Sequence, residues 1–167
     1  KFLKEKSSSV LSSVFTPEDL EHIERLRNTR TNIKDSFLIM NSNSWIKGVE
    51  ETKKYLKENK VDFELVGGLS YSDMLKKLSE HKGLSFRPLG GDTCPRLVIE
   101  SKLLGLELDV NENVQHCSED WWEGSLDEIE SYILDGHNRF WNKILEFVNQ
   151  IPNISGYTTV KDVIDQG

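Results

Sequence analysis

A chain of 167 residues with a net charge of −7 and 37% hydrophobic residues is long enough for one domain of ordinary size. The acidic balance argues against a nucleic-acid surface, because the lysine cluster in residues 1–6 is short, broken by Glu5, and reads as a solvated terminus. No apolar run approaches the ~20 residues needed to cross a bilayer, and no signal peptide is visible.

Residues 7–15 are serine-rich with a few apolar positions and read as a short strand or a lead-in segment. Thr16-Pro17-Glu18-Asp19 then announces a helix, with a threonine cap, proline at the first helical position and acids in the first turn. Leu20, Ile23 and Leu26 give it an apolar stripe, and Arg25, Arg27 and Arg30 suit the negative end of its dipole. From Phe37 onward strands and helices alternate. Strands are expected at 37–40, 63–66, 84–86 and 106–110, and helices at 49–59, 70–81 and 96–104. Two more helices are expected at 126–134 and 140–148, and the tail after Pro152 is expected to pack on the surface.

Short strand–helix units repeated in this way specify an α/β fold: a doubly wound, Rossmann-like parallel sheet with helices on both faces. The expected divisions are a lead-in strand and helix at 1–35, a ligand-binding core at 36–115, and C-terminal helices with a tail at 116–167. Ligands in such sheets bind outside the carboxyl ends of the strands. Four loops should therefore converge on one crevice: 41–48, 67–70, 88–96 and 110–115.

The stretch from Gly90 to Glu100 carries the strongest chemical signal. A glycine pair precedes Asp92, a helix begins near Arg96, and Glu100 follows inside that helix. Free N–H groups at a helix start attract phosphate, whereas carboxylates suit sugar hydroxyls. Glu100 sits among Leu97, Val98, Ile99 and Leu103 and needs a partner, which ribose hydroxyls or a buried arginine would each supply. Arg96 could meet a diphosphate through its planar fork or form a structural salt bridge. Lys47 at a helix start is opposed by the dipole, which a bound anion would offset; a solvated lysine beside flexible Gly48 accounts for the pair equally well. Gly67-Gly68 ends a strand or lets backbone approach a ligand, and the G-x-G-x-x-G dinucleotide fingerprint is absent. Cys94 and Cys117 lack metal-ligand spacing, and either a disulfide or two free thiols would account for them. No histidine adjoins Cys94 in sequence, which speaks against a catalytic thiol there.

These residues resemble the carboxyl-terminal, donor-binding half of GT-B glycosyltransferases, especially the retaining group called family 4. That group carries two acids in a Glu-x7-Glu pattern and a Lys-Gly pair opening the first helix. Here Asp92 and Glu100 keep the spacing, Lys47-Gly48 stands upstream, and Gly105 falls where the family has a glycine. The likeness spans roughly 37–114. It implies transfer of a sugar from a nucleoside-diphosphate sugar, with Lys47, Asp92 and Glu100 as the working side chains. Glu100 would hold the ribose hydroxyls, Lys47 the phosphates, and Asp92 the donor sugar. Gly48, Gly67, Thr93, Cys94 and Arg96 would line the nucleotide. The sequence departs from the family where aspartate replaces the first glutamate and where Thr93 and Pro95 replace two glycines. Pro95 also removes one N–H that could meet phosphate. Arg96 or Arg87 would supply the arginine that the family places after its first strand.

The resemblance further implies no metal or other cofactor, and a glycan, lipid-linked or protein acceptor held by an N-terminal half outside this sequence. The segment alone would then bind donor and catalyse nothing. The expected location is cytoplasmic, or peripheral at the inner membrane surface. Trp121, Trp122, Phe140 and Trp141 read as core or interdomain packing in preference to a sugar platform. A non-enzymatic flavodoxin-like binding or interaction module is the competing reading, and a GT-B epimerase a third.

Overall fold

The computed structural model describes residues 13–92 and 95–149. Its elements in chain order are α1 (Pro17–Asn28), β1 (Lys34–Met40), α2 (Val49–Glu58), β2 (Phe63–Val66), α3 (Tyr71–Ser79), β3 (His81–Phe86), α4 (Arg96–Leu103), β4 (Glu107–Val110), α5 (Leu126–Leu134) and α6 (Gly136–Asn149). The strands form one parallel sheet in the order β2-β1-β3-β4. The α/β alternation expected from the sequence is therefore the architecture.

Local chemistry explains most of the boundaries. Thr16 accepts a hydrogen bond from the Asp19 N–H while Asp19 accepts one from the Thr16 N–H, so α1 starts in a reciprocal capping box. Ser125 and Glu128 repeat the device at α5, and Ser70 caps α3. Two strands begin earlier than their apolar residues suggest. β1 includes Lys34, Asp35 and Ser36, which lie toward solvent at its amino end. β3 begins at His81, a residue the apolar pattern assigns to the preceding helix. Lys34 pairs with His81 across β1 and β3, and the buried imidazole bonds the Lys77 carbonyl and the Glu64 carboxylate. Residues 13–16 form neither helix nor strand, and Thr16 is extended. The rest of the expected lead-in strand, and the tail after Pro152, lie outside the described residues.

The two faces of the sheet are covered unequally. Leu38, Leu84 and Phe86 enter a large core with Leu20 and Ile23 of α1, Leu75 and Leu78 of α3, Ile99 and Leu103 of α4, and Ile129 and Ile133 of α5. Ile39, on the opposite side of β1, packs with Val49 and Leu56 of α2 and with Phe37 and Phe63. Successive side chains of a strand point to opposite faces, so the alternation Leu38/Ile39 serves both layers. Gly83 makes the second layer possible: a Cβ there would lie 2.4 Å from the Phe37 ring and 2.5 Å from the Glu107 carbonyl oxygen. Trp121 and Trp122 belong to the large core, with Trp121 stacked on Tyr132 at 5.4 Å. That is the packing role expected of them.

Candidate functional site

β1 has β2 on one side and β3 on the other. Its following helix, α2, covers one face, while α4, which follows β3, covers the other. The loops leaving β1 and β3 therefore part company at their carboxyl ends, and a crevice opens between them. A cavity of about 370 Å³ occupies this switch point. Met40, Asn41 and Ser42 line it from β1 and its loop, Phe86 from the end of β3, and Pro95 to Val98 from the start of α4. Lys47 completes the wall. An apolar floor with a polar rim is the usual make-up of a small-molecule site.

Lys47 reaches this wall from a single 3₁₀ turn, Trp45–Lys47, that the apolar pattern does not announce. Its ammonium meets Asp92 Oδ2 at 2.5 Å and lies 5.4 Å from the centre of the Phe86 ring. Asp92 is itself pinned from the far side: its N–H donates to the Asn113 carbonyl, and its carbonyl accepts from the Gln115 N–H. Gly67 lies against Asn41, whose N–H donates to the Val66 carbonyl. All four loops expected to converge thus contribute to this end of the sheet, and Lys47 and Asp92 are brought into direct contact.

Gly48 has a backbone duty. Its φ of +60° is left-handed, and a Cβ would stand 2.3 Å from the Arg87 carbonyl oxygen. It ends the 3₁₀ turn, starts α2, and lets both rest against the loop after β3.

Arg96 and Glu100 form a second cluster, of which only Arg96 reaches the cavity. Glu100 is 3% exposed, and its Oε1 accepts from Arg96 Nε at 2.7 Å. Arg96 also donates to Asp19 Oδ2 at 3.0 Å, the Tyr71 hydroxyl at 3.1 Å and the Val14 carbonyl at 2.9 Å, and it lies over the Phe15 ring. Of the two partners that would satisfy Glu100, the one in place is the arginine. Burial pushes the Glu100 carboxyl up, and Arg96 beside it draws it part of the way back. Burial works against the charge on Arg96, but its bonds to Tyr71, Glu100 and Asp19 outweigh that and raise its pKa. Arg87, the other candidate arginine, lies elsewhere, paired with Asp109 at 2.6 Å and stacked on Tyr55 of α2.

The start of α4 differs chemically from the other helix starts on its side of the sheet. Pro95 offers no side-chain cap and the first turn holds no acid, whereas α1, α3 and α5 each have a capping side chain and an acid. The Val98 N–H donates to the Pro95 carbonyl, and among the described residues no side chain accepts from the first-turn N–H groups of α4 at the edge of the cavity. Thr93 and Cys94, expected to cradle phosphate there, lie outside the described residues. Cys117 is a free thiol whose pKa burial raises. Neighbouring His116 is buried, with Nδ1 on Glu119 at 2.9 Å. Among the described residues no cluster of three or more His, Cys, Asp or Glu side chains could hold a metal ion, and no helix is long and apolar enough to cross a membrane.

Met40 and Phe86, like Leu97 and Val98 of α4, line the cavity although the sequence assigns them no site role; the first two form its strand-end floor. Their signal is positional, since each is the last residue of a strand flanking the switch point. No family model, no curated protein and no solved structure matches this chain, so the reading of the site rests on its geometry.

Proposed function

We propose that this domain binds a nucleoside-diphosphate sugar at the switch-point cavity, as the donor half of a glycosyltransferase. The observation that carries the reading is the Lys47–Asp92 pair beside an uncapped α4 start, at the one crevice where the fold favours ligands. An ammonium and helix N–H groups suit a diphosphate, and an adjacent carboxylate suits sugar hydroxyls. Phe86 and Met40 offer an apolar floor to the flat parts of such a ligand.

In glycosyl transfer, charge builds on the departing diphosphate as the bond to the sugar carbon lengthens. Lys47 and the α4 start would stabilise that leaving group through fixed positive charge and dipole. Asp92 would orient the sugar. Glu100 stands behind Arg96, so in this reading ribose hydroxyls reach it only after the guanidinium turns aside. The acceptor and the remaining catalytic groups would come from a partner half.

The strand order favours one second reading, because β2-β1-β3-β4 is also the order of flavodoxin-like sheets, which hold a flavin phosphate at the same switch point. Calorimetry with UDP, GDP, ADP, dTDP and FMN separates the two. Saturable heat from a nucleoside diphosphate, abolished in Lys47→Ala, supports the donor site. Heat from FMN alone favours the flavin module, and no heat from any of the five at millimolar concentration refutes both.

A further inference from the structure

The same 3₁₀ turn that sends Lys47 into the switch-point cavity sends Trp45 the other way. Trp45 is 73% exposed, and its indole has no hydrogen-bond, ring or cation partner among the described residues. It lines a second cavity, of about 380 Å³, between the loop after β1, the first turn of α2, and Leu89 of the loop after β3. We propose that this cavity is a binding site for a neutral saccharide, with the Trp45 ring as its platform.

The chemistry around the ring points to hydroxyls. Asn41 and Asn43 are among the residues that line the cavity, and an asparagine amide offers donors and an acceptor. Glu51 also lines it, and its carboxylate has no partner among the described residues, whereas both oxygens of Glu50 accept from Lys53 Nζ at 2.9 and 3.0 Å. A flat apolar face edged by amides and one free carboxylate complements a pyranose, which presents C–H groups on one face and hydroxyls around its rim. No cationic side chain lines this cavity, and it carries two acids, so a phosphate is disfavoured here. The walls are also braced. The Lys47 N–H donates to Ser44, the Gly48 N–H to Trp45 and the Leu89 N–H to Ile46, at 3.1, 3.1 and 2.8 Å, so the loops after β1 and β3 are joined before any ligand arrives. Little ordering then remains to oppose a weak ligand.

The inference does not need the switch-point cavity to hold a nucleotide, and its test reads sugar protons directly. Saturation-transfer NMR on the full chain with maltotriose, cellotriose, mannotriose and chitotriose, each at millimolar concentration, should show transfer to the ring protons of at least one. For that sugar the signal should fall by about tenfold in Trp45→Ala, as truncating a central aromatic anchor does, and also fall in Glu51→Gln. The amide spectrum of each variant should keep the dispersion of the parent chain, and any nucleotide heat shown by the parent should persist in Trp45→Ala. Three results would each overturn the proposal: no transfer to any of the four sugars, transfer undiminished in Trp45→Ala, or a self-associated chain that Trp45→Ala returns to monomer.

Discussion

Gly48→Ala tests whether the lysine turn is held by backbone packing. Two costs add at this position. An L residue in the left-handed region loses roughly 1–2 kcal/mol, and Gly48 has φ +60°. The new Cβ would also stand 2.3 Å from the Arg87 carbonyl oxygen and 3.4 Å from the Pro88 Cα. Both neighbours are backbone and cannot rotate away, so one loop must shift, at a further cost of about 1–3 kcal/mol. The sum of about 2–5 kcal/mol is a large part of the 5–15 kcal/mol that holds a typical domain together. At roughly 2–4 °C per kcal/mol for a chain of this size, the melting point should drop by about 4–20 °C. Gly68 provides the control, because it has φ +71° but nothing within 4 Å of its added Cβ. Gly68→Ala should therefore carry only the conformational cost, about 1–2 kcal/mol. Urea unfolding followed by the fluorescence of the buried tryptophans measures both variants. If Gly48→Ala lies within about 0.5 kcal/mol of Gly68→Ala, the close packing against Arg87 does not govern this turn and the reasoning fails.

Three further outcomes follow from the same geometry. Arg96→Ala leaves Glu100, 3% exposed, buried without its ion-pair partner, so it should cost about 3–5 kcal/mol in urea unfolding even with no ligand present; an unchanged midpoint would show that the pair does not hold this wall of the cavity. Gly83→Ala should destabilise by about 1–3 kcal/mol, because its Cβ would meet the Phe37 ring at 2.4 Å and the Glu107 carbonyl oxygen at 2.5 Å; tolerance of alanine there, read as an unshifted melting point, would contradict the close approach. Bonds from Lys77, Lys34 and His81 hold the Glu64 carboxyl at about 2, below its ordinary 4.5. A carboxyl lowered by folding stabilises the protein above the unfolded value, and that contribution disappears as pH falls from 4.5 toward 2. Glu64→Gln should therefore lower the urea midpoint at neutral pH and flatten its acid dependence in this window, and parallel pH profiles for the two proteins would count against the cluster.

The parallel α/β architecture was legible because its signals are local. Thr16 and Asp19 mark a helix start within four residues, and Phe37 to Met40 marks a strand by its apolar run. The convergence of four loops followed from topology, since the alternation forces every strand's carboxyl end to the same side. The partners of Arg96 were not legible. Asp19 and the Val14 carbonyl lie 77 and 82 residues away in sequence, and nothing near either position names a distant arginine. Glu100 shows the same limit. Its apolar neighbours reveal that a buried acid needs a partner, and Arg96 stands one turn away on the same helix, but that spacing alone does not decide between the arginine and ribose hydroxyls. The strand starts at Lys34 and His81 were hidden for a third reason: their backbone pairing is set by the neighbouring strand, not by the character of their own side chains.

The charges around the switch-point cavity are arranged so that the two cations differ in availability. Arg96 is shared among Glu100, Asp19, Tyr71 and the Val14 carbonyl, and it joins the lead-in chain, α1, α3 and α4. Withdrawing it would leave Glu100 buried without its ion-pair partner, a cost of several kcal/mol that a ligand would have to offset. Lys47 makes one ion pair, with a side chain 38% exposed, and water can take its place on Asp92. An incoming anion therefore meets far less resistance at Lys47. Sequence position alone ranks the two cations as equals, because each stands at the start of a helix on a converging loop. Their partners separate them: under the proposed function Lys47 is the cation that would exchange an internal carboxylate for a ligand, and Arg96 the one that keeps the wall of the cavity in place.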